Sequence, residues 1–275
     1  MILASLVTGA MVMLAVSAWQ LRRGRESFKT PALLSIVVLL PASALALAVG
    51  SHLGVIETTY QPMKIAAAEA QWETCQPCSF SLFQIGGGAN DEDPTKIIEV
   101  PHLLSLLATG TWDGEVVGLN ELQAQDVAEY GPGDYVPNVF IQYWSMRVMA
   151  YLGTLVFLFS AWGAWLAFRR KLPTSRVFLF LATWAVPLPY LMNTAGWMLT
   201  ENGRQPWIVQ GLMKTADGVS ASVSATELII SLSAFFLVYV VLIVLDVVLM
   251  LRYGRRDLAA PDEEVERDRA PALTY

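Results

Sequence analysis

Long apolar runs separated by short basic stretches set the plan of this chain. Five runs, at about 2–20, 32–50, 146–168, 177–200 and 228–251, reach the roughly 20 residues a helix needs to cross about 30 Å of hydrocarbon. Pro187 and Pro189 are expected to kink the fourth. The pattern predicts an all-α integral membrane protein with five transmembrane helices. Its parts are a first helix pair (1–50), a large loop (51–143), a three-helix region (144–256) and a non-periodic tail (257–275) that reads as disordered.

Charge sets the orientation. Arg22, Arg23, Arg25 and Lys29 join the first two runs, Arg169, Arg170, Lys171 and Arg176 join the third and fourth, and Arg252, Arg255 and Arg256 follow the fifth. Such clusters belong on the cytoplasmic side, which places the N-terminus outside and the C-terminus inside. The 51–143 loop, where Lys64 and Lys96 face many acids including Asp91, Glu92 and Asp93, is then extracytoplasmic. The first run has no basic residue before its apolar core, so it reads as an N-out helix and not as a cleaved leader. Its start at Met1 suggests that something upstream is missing.

Composition agrees with the pattern. Of 275 residues, 55% are hydrophobic and 15% charged, with mean hydropathy +0.47. Soluble domains carry about 25% charged residues. The net charge of −6 is sorted by segment, and no basic stripe suggests nucleic acid.

Three stretches carry candidate chemistry. Residues 61–73 read as a helix with Pro62 in its first turn, with Glu69, Trp72 and Glu73 on one face and Lys64 about 140° from Glu69. One reading is a solvated amphipathic helix lying on the membrane. The other is a wall for a flat neutral ligand with two polar oxygens, an acid taking its protons and a lysine holding its far end. Cys75 and Cys78 form a C-x-x-C, too few ligands for a zinc site and suited to a disulfide in an oxidising compartment. Residues 196–207 set Trp197, Glu201 and Arg204 at i,i+4 and i,i+3 spacing at the end of an apolar helix, where ionisable groups are costly and usually functional. Glu201 is open to two readings, a functional acid or a neutralising partner for Arg204. Asp246, inside the fifth run, is open to two readings, passing protons or pairing with a neighbouring base, and pairing is favoured.

Together these residues resemble subunit I of the cytochrome bd family of quinol oxidases. The matching pieces are Gln61-Pro62-Met63-Lys64 through Glu69-Ala70 and Trp72, then Pro101 with Leu103-Leu104, Gly118-Leu119, Arg147-Val148-Met149, and Gly196-Trp197 through Glu201, Gly203-Arg204-Gln205-Pro206-Trp207. The resemblance implies that 51–143 is a quinol-binding loop, with Lys64 and Glu69 at positions of quinol binding and oxidation. It implies Met149 as a ligand of the low-spin haem b iron, with Arg147 near that haem. Glu201 is implied at the high-spin haem b iron, with Trp197 and Arg204 around the oxygen site that also holds haem d. Implied partners are subunit II, a possible small accessory subunit, membrane quinol and oxygen.

The chain departs from the family pattern in lacking four N-terminal helices and their histidines. His52 and His102 both fall on the outer side, where ordinary loop histidines are expected. A haem-free, transporter-like scaffold or an inactive fragment is the alternative. Broken helices or paired repeats of the transporter kind are not read in the pattern.

Overall fold

The computed structural model describes residues 1–86, 94–220 and 222–255. Asp91, Glu92, Asp93, Arg256 and the 257–275 tail lie outside the described residues. In chain order the helices and strands are α1 (Ile2–Arg22), α2 (Lys29–Tyr60), α3 (Pro62–Glu69), β1 (Phe80–Ile85), β2 (Thr95–Val100), α4 (Leu103–Thr109), α5 (Leu119–Tyr130), α6 (Val139–Phe168), α7 (Arg176–Trp184), α8 (Pro187–Gly203), β3 (Trp207–Val209), β4 (Met213–Lys214) and α9 (Ala225–Gly254). The chain is mostly helical, but two small antiparallel hairpins, β1–β2 and β3–β4, correct the all-α expectation.

Among the described residues, four helices (α1, α2, α6 and α9) are long and apolar enough to cross a membrane, and α7 with α8 makes a fifth span if taken together. That pair is bent by 43° between Trp184 and Pro187. The fourth run is therefore a broken helix and not merely a kinked one: Pro187 has no N–H to continue the ladder and starts α8 at its first turn. Helices α2 and α6 also overrun the expected boundaries, α2 reaching Tyr60 and α6 starting at Val139 under an Asn138 cap whose side chain accepts from the Ile141 N–H at 3.0 Å.

Between spans in lipid, close approach and interhelical hydrogen bonds do much of the work that burial does in water. Gly163 on α6 is such a contact, since a Cβ there would lie 2.5 Å from Ile36 Cδ1 on α2 and 2.8 Å from Phe178 Cζ on α7. Ser43 and Ser160 hydroxyls meet at 3.3 Å between α2 and α6, and the Asn193 amide of α8 donates to Thr8 of α1 at 3.3 Å. The core around them includes Met11, Leu14, Leu39, Val156 and Phe178.

The three basic stretches meet at one end of the bundle. Arg25 donates to the Arg255 carbonyl at 2.9 Å, and a cleft there is walled by Lys29 from the first turn and Arg170 and Thr174 from the second. Helix α9, capped by the reciprocal Ser224–Glu227 hydrogen bonds, has no buried residue and approaches the bundle at Gly254, near Val16. Asp246 accordingly has no basic partner among the described residues, against the expected pairing, because no other helix covers the face that carries it.

Candidate functional site

At the opposite end, residues between α2 and α6 fold back onto the spans. Helix α3 is buried along its length, Lys64 being 5% and Glu69 3% exposed. This corrects the reading of a solvated surface helix. It also corrects the expected length, because α3 stops at Glu69. Ala70 takes the left-handed conformation (φ 48°), and the Ala70 and Gln71 N–H groups return to carbonyls of Ala66 and Ala67. Trp72 and Glu73 consequently leave the helix face assigned to them. Gly118 explains its own identity here: the 72–74 backbone crosses so closely that a Cβ would lie 2.4 Å from the Trp72 carbonyl.

The two charged residues of α3 point to different partners. Glu69 accepts from Arg147 of α6 at 2.7 Å, with both side chains sealed from solvent. The same guanidinium donates to the carbonyls of Ala68 and Ser81, each at 2.6 Å, and lies over the rings of Tyr143 (3.8 Å) and Phe80 (4.6 Å). One side chain thus ties α3 and the β1–β2 hairpin to α6. Burial pushes the Glu69 carboxyl above its ordinary 4.5, opposed by the attraction and hydrogen bond of Arg147 and by the charge of Lys96.

Lys64 pairs with Glu57 in the last turns of α2, Nζ to Oε1 at 2.8 Å. Glu57 escaped the sequence reading because it was placed in a connecting loop rather than on a helix facing Lys64. The pair borders an open cleft of about 320 Å³ whose other walls are Ile56, Tyr60, Gln61, Thr200 and Arg204. Segment 196–207 therefore reaches Lys64. Gly203 permits the approach, since a Cβ there would lie 2.6 Å from Lys64 Cγ and 2.2 Å from Gln142 Nε2. Gln142, fully buried and also missed in the sequence, accepts from the Asn202 amide at 3.1 Å and donates to the Lys64 carbonyl at 3.5 Å.

Glu201 and Arg204 form their i,i+3 ion pair on the partly exposed end of α8, and Trp197, on the same face, is 57% exposed. Met149 is half-buried, its sulfur against Gly196 of α8 at 3.1 Å from where a Cβ would stand. Cys75 and Cys78 are joined as a disulfide. His52 and His102 are exposed, and His102 Nδ1 faces Asp113 at 3.2 Å and the Trp112 carbonyl. No cluster of three or more His, Cys, Asp or Glu suited to a metal ion occurs among the described residues.

These features define a polytopic helical membrane protein with a charge-locked polar segment folded over one end of its spans. The chain belongs to the family described as cytochrome bd terminal oxidase subunit I, whose profile matches residues 1–258. It is 38% identical over 257 residues to cytochrome bd ubiquinol oxidase subunit 1 of Bacillus subtilis (strain 168), covering 91% of this chain and 54% of the relative. To cytochrome bd-II ubiquinol oxidase subunit 1 of Escherichia coli (strain K12) it is 28% identical, with 96% and 62% covered. A solved bd oxidase from Geobacillus thermodenitrificans superposes with TM-score 0.77 at 31% identity, over 93% of this chain and 56% of that one. The chain spans little more than half the length of these relatives.

A haem is implied by the family, and two observations accommodate one. The Met149 thioether lies against a glycine, which keeps the α8 wall flat beside it, and the buried Arg147 Nε has no acceptor. The two histidines, His52 and His102, are exposed and lie outside the bundle core.

Proposed function

We propose that this chain forms part of subunit I of a cytochrome bd-type terminal oxidase, which oxidises membrane quinol and reduces oxygen to water. The observation that carries the proposal is the cleft bordered by Lys64, Gln61, Thr200 and Arg204, because it joins the two most family-specific stretches at one ligand-sized opening. Lys64 holds a quinol oxygen there through a charge-assisted hydrogen bond. Glu69 lies behind the cleft, where its pair with Arg147 fixes the position of α3.

Met149 and Arg147 would hold the low-spin haem b, and Glu201, with Trp197 and Arg204 around it, would face the high-spin haem b and haem d of the oxygen site. When bound, these groups supply the one-electron steps between quinol and oxygen. A thioether ligand favours a raised potential, which suits an acceptor of quinol electrons. Subunit II and a small accessory subunit are the proposed partners.

By the positive-inside rule, the end carrying Arg25, Arg170 and Arg255 faces the cytoplasm. The cleft and the 51–143 loop then lie on the outer side of the plasma membrane, with the N-terminus outside.

The broken α7–α8 span favours a transporter-like scaffold, since transporters place substrates at helix breaks. Residues 184–188 (Trp-Ala-Val-Pro-Leu) carry no ionisable side chain to meet one.

The test is Lys64→Ala in the assembled oxidase. Quinol oxidation should fall by roughly one to two orders of magnitude, as expected for a lost hydrogen bond to charge, with haem spectra nearly unchanged. Loss of haem in that variant contradicts a quinol-binding role. For Met149→Leu the low-spin b signal should vanish or shift, and an unaltered spectrum removes Met149 as a ligand.

A further inference from the structure

We infer that Glu57 is a further carboxylate that works with Lys64 in the cleft, accepting protons from bound quinol. The inference rests on the reading of the cleft as the quinol site and deepens it. An acid that takes a proton and releases it needs contact with both ligand and water. Glu57 has that contact: it lines the cleft, its side chain is 38% exposed, and Oε1 is 2.8 Å from Lys64 Nζ. Glu69 is 3% exposed, is engaged by Arg147 and does not border the cleft.

The groups facing Glu57 complete the arrangement. Tyr60 on its own helix, Lys64 and Gln61 from the α3 end, and Thr200 and Arg204 from α8 share the opening, with Glu201 held by Arg204 beyond it. Lys64 and Arg204 set two cationic side chains around Glu57 in the cleft.

Oxidation of a quinol to a quinone releases two electrons and two protons. The electrons leave for an acceptor of the haem class. Glu57 takes the proton of one hydroxyl as its O–H bond breaks and a carboxyl O–H forms, then passes it to water at the cleft mouth. The emptied carboxylate accepts the second proton in the same way. Lys64 stays charged and hydrogen-bonds the quinone oxygen throughout.

The test compares Glu57→Gln, Glu57→Asp and Lys64→Ala in the assembled oxidase, with haem spectra as the control for assembly. Glu57→Gln should lower quinol turnover on the order of a hundredfold, the usual worth of a general base, and remove its acid limb in the pH profile. A protonated-carboxyl infrared band induced by quinol should disappear in the same variant. Glu57→Asp, which keeps the base but shortens its reach, should recover part of the turnover and retain a shifted band. Turnover within about twofold of the unaltered enzyme, with the band retained in Glu57→Gln, overturns the assignment. If Lys64→Ala is impaired while Glu57→Gln is not, only the role of Glu57 falls. If Lys64→Ala is also unimpaired, the cleft is not the quinol site and both readings fall.

Discussion

Helix α3 carries two ion pairs five residues apart, and they live in different surroundings. At its C-terminal end, Glu69 and Arg147 are closed off from solvent; at its N-terminal end, Lys64 is buried while its partner Glu57 keeps an open face. A sealed pair gains strong attraction but bears the desolvation of both charges, so it fixes geometry and adds little net stability. A pair with one open partner costs less to form and can exchange protons. The same short helix thus has a structural end and a chemical end.

The sharpest way to break this contrast is to remove one partner of the sealed pair. Arg147→Met leaves Glu69 buried without a counter-ion and three hydrogen bonds unmade, those to Ala68, Glu69 and Ser81. The expected loss is about 3–5 kcal/mol, read as thermal unfolding of the purified oxidase. Adding Glu69→Leu should recover most of it. Glu57→Gln, at the open end, should leave the unfolding temperature nearly unchanged. Equal losses at both ends would show that the two pairs do not differ in kind.

A smaller effect tests how the chemical end is held. Gly203→Ala forces a methyl into Lys64 Cγ and Gln142 Nε2. Overpacking of this kind costs about 1–3 kcal/mol, and displacing Lys64 should raise the KM for quinol more than it lowers kcat. An unchanged KM would show that Lys64 can move aside without losing its ligand.

The spans were legible in the sequence because runs such as 2–20 and 146–168 are set by local hydropathy; the prolines of the fourth run signalled a kink, but not the full break of 43° before Pro187. The partners of α3 were not. Arg147 lies 78 residues from Glu69 along the chain, and the identities of Gly118 and Gly203 answer to backbone and side chains that cross only after folding. Lys64 was found as a candidate but Glu57 was not, because α2 runs to Tyr60 while its apolar pattern fades near Gly50. The end of α3 was hidden for a different reason: the left-handed cap is an alanine, not the glycine or asparagine that would mark it.

The sealed pair should also show itself in pH dependence. Burial raises Glu69 above its ordinary 4.5, so the folded protein holds that proton more tightly than the unfolded chain does. The contribution of Glu69 to stability is therefore fully present below 4.5 and is lost as pH rises through the raised value. Glu69→Gln should flatten the unfolding temperature across that window. A wild-type profile that instead rises with pH there, by an amount Glu69→Gln removes, would mean that Arg147 outweighs burial.

The smallest expected effect lies just past the sealed pair, at the turn that ends α3. Ala70 holds φ 48°, where an L-residue is strained by about 1–2 kcal/mol and glycine is not. Glycine, however, gives the unfolded chain more freedom, which returns about 0.5–1 kcal/mol of that gain. Ala70 is also 1% exposed, within the cluster that holds Met63 and Leu119, so its methyl contributes packing that Ala70→Gly would remove. The net change should be under about 1 kcal/mol in the stabilising direction, with Lys64 and Glu69 undisturbed and quinol turnover unchanged. A clear destabilisation would show that the buried methyl, and not the backbone conformation, decides where α3 ends.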